Sequence, residues 1–491
     1  MENSYILGLD LGTTSAKACL FDLRGHLVSS AEEMITSYYP QQGWAEQAPE
    51  EIAQHAITAI KTALAAAEIE QQQLIALSFC AAMHSLIAVD GEGGALSPAI
   101  IWADGRAAEQ AAQLEPQLKS QLYRETGTPL HPMTPFMKLL WMKHNNYEPY
   151  KQATYFMSIK EYLIYAWSGE RVIDYSMASA TGMFNPHSLC WNERSLQLAG
   201  ITGDQLSQIV PPTTKLSAIK PAIAEAMGVR GDLPVIIGAA DGQLSNLGIG
   251  AVLPGEVAVS VGTSGAIRQF TNEVVVGVQQ ESFCYAFTAD SFIVGGPTNN
   301  GGIVLQWLKD LLQDQQGFTE FLAQANDVAP GAEGLLFVPY INGERAPVWN
   351  QKAKGSFYGV SVTHSREHFV RAALEGITFN LYSIGKALHA AQQGQRKMYV
   401  NGGLARSPLW LQMMANMFNA EIYVSENHHG AAWGAAWTAL VGLGVVSSFE
   451  EIKHNIPMSE PTLPDADGVK LYRELYANYE RFATTIAPLF Q

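Results

Sequence analysis

A strand–turn–strand hairpin is written twice in this chain, and that duplication constrains the fold more than any other feature. In the first copy, Tyr5-Ile6-Leu7-Gly8-Leu9 runs into Asp10-Leu11, the turn Gly12-Thr13-Thr14-Ser15 and a returning apolar strand that carries Lys17. In the second, Val257-Ala258-Val259-Ser260-Val261 runs into Gly262-Thr263-Ser264-Gly265 and returns through Ala266-Ile267-Arg268. Ser260 takes the place of Asp10, at an offset of about half the 491-residue chain. A Gly/Thr/Ser turn presents backbone N–H groups and hydroxyls to a phosphate, and a neighbouring carboxylate suits a hydrated metal ion. Two such turns, one per half, would let a nucleotide bridge two domains across a cleft, where ligands preferentially bind. Such a tripeptide is otherwise only a hairpin turn, but the matched context at half-chain spacing argues against that plain reading.

A chain of this length exceeds one hydrophobic core, so two large domains are expected, with the boundary near residue 249: 1–249 and 250–491. The alternation of segments predicts an α/β architecture. Helices are expected over Pro49–Ala67, Glu161–Trp167, Asn300–Leu312 and Arg366–Ile384, and strands over Leu74–Phe79, Ala99–Trp102, Leu233–Ala239, Phe292–Gly296 and Met398–Val400. The net charge of −16 argues against a nucleic-acid backbone or an anionic membrane as partner, and requires a local cationic site for any anionic substrate. The four cysteines show no metal-ligand spacing, and a reduced, cytoplasmic setting fits them. The uncharged stretch Gly430–Val446 falls short of the roughly 20 apolar residues of a membrane span and reads as a tightly packed internal helix. No secretory leader is recognisable at the start.

Several residues have the chemistry for a site. Asp241 ends an apolar strand and precedes Gly242, at the strand edge where open α/β sheets bind ligands; the plain alternative is a helix N-cap. In a phosphoryl transfer it would orient a hydroxyl and accept its proton late. Gly402-Gly403 before Ser407-Pro408 reads as a strand-to-helix turn, with Ser407 as cap and glycines that admit a flat ring; close packing explains the glycines equally well. Met83-His84 follows a strand, and His84 could donate to a polyol hydroxyl or a carboxylate. Asp104 and Arg106 could simply pair with each other.

In this order along the chain, the pieces resemble the FGGY family of carbohydrate kinases. The resemblance rests on Gly8-Leu9-Asp10-Leu11-Gly12-Thr13-Thr14, Gly43-Trp44-Ala45-Glu46-Gln47, Met83-His84, Trp102-Ala103-Asp104-Gly105-Arg106, Ala240-Asp241-Gly242, Val261-Gly262-Thr263-Ser264 and Gly343-Glu344-Arg345-Ala346-Pro347. It implies two actin-like, ribonuclease-H-like domains flanking an ATP/substrate cleft, with ATP and Mg²⁺ as cosubstrate and cofactor. By the same resemblance Asp241 is the catalytic base and a substrate contact, and Asp10 the acid near the metal and reacting phosphate. Thr13, Thr14, Ser15, Lys17, Gly262 and Thr263 fall in the phosphate loops, Gly402, Gly403 and Ser407 at the adenosine site, and Met83 and His84 in the sugar pocket. A homodimer is also plausible on this ground.

Gluconate-phosphorylating members share further stretches, including His84 to Asp90, Gly127 to Met133 and Gly295 to Gly302, which implies transfer to the C6 hydroxyl of D-gluconate. Xylulose-phosphorylating members are the runner-up, and a non-catalytic actin-like sugar sensor is the alternative of a different class. Four residues, His84, Lys138, Arg268 and Arg345, are conceivable partners for the gluconate carboxylate.

Overall fold

The computed structural model describes residues 4–389, 396–425 and 429–490. Two mixed sheets organise it. The first contains β1 (Tyr5–Leu11), β2 (Ser15–Asp22), β3 (Leu27–Met34), β4 (Leu74–Ala81) and β5 (Val235–Ala240), in the order β5-β4-β1-β2-β3. The second contains β6 (Glu256–Val261), β7 (Gly265–Thr271), β8 (Phe283–Ala286), β9 (Phe292–Thr298), β10 (Arg396–Gly402) and β11 (Ala420–Val424), in the order β8-β9-β7-β6-β10-β11. In each sheet three antiparallel strands are followed by two parallel ones, as in β3-β2-β1-β4-β5 and β9-β7-β6-β10-β11. The duplication read in the hairpins therefore extends to the sheet topology, and β8 is an addition on the edge of the second copy.

Helix α1 (Pro49–Ala67) has the bounds the sequence pattern gives. Proline occupies its first turn, Ile52, Ala56, Ala59, Ile60 and Ala63 form its buried stripe, and Glu68 ends it in the left-handed region. It covers one face of the first sheet against β2 and β3. The opposite face is covered by α2 (Asp241–Gly248) and α3 (Gly430–Gly442), and α3 comes from the far C-terminal side of the chain. Glycines make this crossing possible. A Cβ at Gly8 would lie 2.1 Å from the Ala432 carbonyl oxygen, one at Gly434 2.2 Å from that of Leu244, and one at Gly248 1.7 Å from that of Gly430. The uncharged Gly/Ala stretch is thus the internal helix expected, and among the described residues no helix is long and apolar enough to cross a membrane. Trp433 and Trp437 of α3 join Ile6, Phe21 and Leu244 in a core that also takes in Phe283 and Phe287, so the apolar interior is continuous between the halves.

Candidate active site

Both repeated turns open into one cleft of about 480 Å³. Gly12 to Ser15 line one side and Gly262 to Gly265 the other. The two loops close alike, the Gly12 N–H donating to the Ser15 carbonyl at 3.0 Å and the Gly262 N–H to that of Ser264 at 2.9 Å. The second is one residue tighter, because Leu11 pairs with Ala16 but Val261 pairs with Gly265. It is also braced from behind, where Gly302 N–H donates to the Gly262 carbonyl and Ile303 N–H to that of Thr263. A Cβ at Gly301 would lie 2.6 Å from the Ser264 carbonyl oxygen, so this brace needs the glycines of the Asn300-Gly301-Gly302 stretch.

Asp10 and Asp241 both line the cleft, Asp10 near the end of β1 and Asp241 just past the end of β5, with β4 between the two strands. Burial and the Asp241 charge push the Asp10 carboxyl up to about 6, with Lys17, its partner across the hairpin, pulling the other way. Lys17 is not among the cleft-lining residues. The equivalent of Asp10, Ser260, keeps a buried hydroxyl at the opposing loop with no hydrogen-bond partner among the described residues. Asp241 opens α2 as its first residue; Ala240 holds the N-cap position, and one Asp241 oxygen accepts from the Gly242 N–H at 2.7 Å. Burial raises its pKa against the opposing pull of Arg268 and Arg345. Its strand end is fixed from below, since Ala240 N–H donates to Ser176 Oγ, which bonds Asp174, itself ion-paired to buried Lys160 at 2.7 Å.

The far end of the cleft is walled by Met83, His84, Trp102, Tyr285, Arg268 and Arg345. His84 sits at φ +70°, and its Nδ1 lies 2.8 Å from the Ala180 carbonyl oxygen, which can only accept, so Nδ1 carries the proton. Burial and the Lys138 charge push His84 down to about 3. It is therefore a neutral ring whose Nε2 accepts, which suits a substrate hydroxyl and corrects the idea of a carboxylate partner. Lys138 is also excluded from that role. It is fully buried and its three ammonium protons go to the carbonyls of His84, Ile100 and Ile101 at 2.5, 2.9 and 2.9 Å. It ties together the chain segments that carry His84 and Trp102.

The other landmarks divide in the same way. Arg106 donates twice to Asp104 and once to Glu46, stacks over Trp44 at 3.8 Å, and Asp104 accepts from Ala45 N–H. These two motifs are a structural lock, as their plain reading has it. Glu344 is buried among Thr298, Asn300 and Asn380, which donate to it at 2.6, 3.1 and 2.7 Å, and this anchors the neighbouring Arg345. Gly402 pairs with Val261 at the root of the second loop at φ +97°, where a Cβ would lie 2.2 Å from the Val261 carbonyl oxygen; a Cβ at Gly403 would meet nothing within 4 Å. Ser407 caps the helix Pro408–Phe418 through Trp410 N–H. Gly402, Gly403 and Ser407 lie outside the lining of the cleft that holds Asp10 and Asp241. Sequence reasoning left Tyr285 out of the site and named Met133 only as the end of the Gly127 to Met133 stretch; the fold carries both to the cleft wall.

Comparison with known proteins agrees with this geometry. Residues 5–248 match the N-terminal domain of the FGGY family of carbohydrate kinases and residues 257–443 match its C-terminal domain. A gluconokinase of Bacillus subtilis is 41% identical over 484 residues, covering 96% of this chain and 94% of the relative. A xylulose kinase of Lactococcus lactis is 31% identical over 482 residues, covering 96% and 95%. Two Lactobacillus acidophilus crystal structures, one described as a gluconate kinase and one as a ligand-bound xylulose kinase, each superpose with a TM-score of 0.95 at 32% identity over 99% of this chain and 98% of theirs. The fold is the actin-like, ribonuclease-H-like fold of those kinases, and the enzyme is a phosphotransferase with an alcohol group as acceptor. The chain belongs to the FGGY family of carbohydrate kinases.

Proposed function

We propose that this enzyme transfers the γ-phosphoryl group of ATP to the C6 hydroxyl of D-gluconate, giving 6-phospho-D-gluconate and ADP. The observation that carries the reaction type is the convergence of two phosphate-type turns and two carboxylates on one cleft. Gluconate is favoured over xylulose by the identity of 41% against 31%.

Thr13, Thr14 and Ser15 on one side and Gly262 and Thr263 on the other would hold the phosphates, with Lys17 countering charge behind Asp10. Gly402, Gly403 and Ser407 would border the adenosine, beyond the second loop. Residues 1–249 would then supply the sugar pocket, the first loop and the base, and 250–491 the second loop and the nucleoside site. Met83 and His84 would hold the sugar. Asp241 would accept a hydrogen bond from the C6 hydroxyl and take its proton as the new P–O bond forms, the electron pair of the broken bond leaving on ADP. Its carboxylate is held for this by the rigid strand end beneath it.

Asp10 suits Mg²⁺. It is a single carboxylate facing the phosphate loops, repelled by Asp241, and no group of three or more metal-ligating side chains exists among the described residues. That fits an ion held by one or two carboxylates, water and substrate phosphates. When bound, Mg²⁺ supplies neutralisation of the charge on the β- and γ-phosphates.

The test is product identification. With Mg²⁺-ATP and D-gluconate, phosphorus–proton correlation NMR should place one phosphate ester on C6 for each ADP released. ADP release no faster with gluconate than without it would sink the proposal.

A further inference from the structure

The gluconate reading leaves one chemical requirement open, a cationic partner for the carboxylate at C1. We propose that Arg268 and Arg345 together form that anion site, with Arg268 as the residue that selects a sugar acid over a neutral sugar. The inference rests on the gluconate reading and deepens it.

Of the four cations and potential cations near the cleft, two are spent. His84 is neutral, with Nδ1–H committed to Ala180, and Lys138 has given all three protons to backbone carbonyls. Arg268 and Arg345 are different. Both line the cleft, and both have a buried Nε that lacks a hydrogen-bond partner among the described residues. Arg345 is steered by Trp102, whose ring lies 5.1 Å from its guanidinium carbon, and spends one Nη2 bond on the Thr298 carbonyl at 3.1 Å. Arg268 donates no side-chain hydrogen bond within the described residues, even to Asp241, its nearest carboxylate charge.

The fold makes deliberate room for Arg268. Opposite it on β9, Gly295 has no side chain, where a Cβ would lie 2.9 Å from Arg268 Cα and 3.1 Å from its Cγ. At Gly242, next to Asp241, a Cβ would come within 3.0 Å of Arg268 Nε. Two glycines thus leave a slot that the arginine fills. Burial weakens the hold of Arg345 on its proton and the charge of Arg268 adds to that, a cost an anion between the two guanidiniums relieves. A carboxylate offers two oxygens to such forks.

A transferred phosphoryl group is also an oxyanion, but the charges in the cleft favour the sugar side. The largest charge influences on Asp10, beside the first phosphate loop, come from Asp241, Lys17 and Glu32. Asp241 feels both arginines. Arg268 Nε lies beside Gly242, next to Asp241, and Arg345 stands against Trp102, so both guanidiniums border the base and the Trp102 wall.

Calorimetric titration separates the possibilities, using D-gluconate, D-glucitol (the same carbon chain with an alcohol at C1) and Mg²⁺-ADP. In Arg268→Gln, gluconate affinity should fall by about 100-fold, while Mg²⁺-ADP and D-glucitol affinities stay within about threefold of the wild type. Arg268→Lys, which keeps charge but loses the fork, should fall between the two, and its retained ADP binding reports a folded cleft. Gluconate binding within about threefold of the wild type in Arg268→Gln overturns the inference alone. A loss of ADP affinity without a loss for gluconate reassigns the guanidinium to phosphate and overturns it too. A wild-type enzyme that binds D-glucitol but not D-gluconate removes the gluconate reading, and the inference with it.

Discussion

In the proposed reaction Asp241 and Asp10 would carry opposite demands, one to receive a proton and one to stay charged beside phosphate. Replacing Asp241 with Asn should lower kcat by about 10²–10⁴-fold while Mg²⁺-ADP affinity is kept, since a positioned base contributes that much. Near-normal turnover in a steady-state assay would remove Asp241 from its role. With Asp10 held up to about 6, Mg²⁺-nucleotide binding should weaken as pH falls through that value, because the protonated carboxyl offers the metal no charge. Asp10→Asn should flatten that profile; an acid limb that persists unchanged in the variant would assign it elsewhere. Stability runs the other way. The folded-state pKa lies above the ordinary 3.8, so Asp10 costs nothing at low pH and destabilises the fold as pH rises from 3.8 to about 6. The stability gap between Asp10→Asn and wild type should therefore widen over that window, measured by urea unfolding. At this scale the sequence made Asp10 and Asp241 legible, because each ends an apolar strand beside a glycine or turn. It could not show that Lys138 is consumed by three carbonyls or that His84 is neutral, since both depend on segments brought together from distant parts of the chain.

Elements formed by local pattern were readable nearly to the residue. The stripe of α1, the β5 run into Asp241 and the Ser407-Pro408 start of the helix that follows β10 all declare themselves through spacing and caps. The site of contact for α3 does not. Its Gly/Ala composition announces burial, but nothing local says that residues 430–442 cross back to cover the first sheet. Two substitutions test these contacts by urea denaturation. Gly434→Ala, whose Cβ would meet the Leu244 carbonyl at 2.2 Å, should destabilise by about 1–3 kcal/mol. Gly203→Ala, with nothing within 4 Å of the new Cβ, should stay within about 0.5 kcal/mol; equal effects would contradict the close crossing. Lys138→Met strands three buried carbonyls and should cost about 2 kcal/mol or more. Unchanged stability combined with a raised gluconate KM would return Lys138 to the substrate.

Over the whole molecule, two copies of one sheet topology face each other, and they are unequal at the cleft. The first hairpin brings Asp10 and the second brings Ser260, so in the proposed reaction the Mg²⁺ would find its hairpin carboxylate on the first side. The second loop is tighter and is braced by the Gly302 and Ile303 N–H groups, an approach that Gly301 permits. This asymmetry was legible in the half-chain repeat. The acceptor was legible only through the stretches shared with gluconate-phosphorylating members and not from local pattern, because the residues that wall the cleft beside Asp241, Trp102, Arg268, Tyr285 and Arg345, come from four separate stretches. The measurement that bears most directly on the assignment is kcat/KM for D-gluconate and D-xylulose side by side, followed by ADP release with Mg²⁺-ATP. A site that recognises the carboxylate should favour gluconate by about 100-fold or more. Equal or better use of xylulose, or no acceptor-dependent ADP release with either, would contradict it.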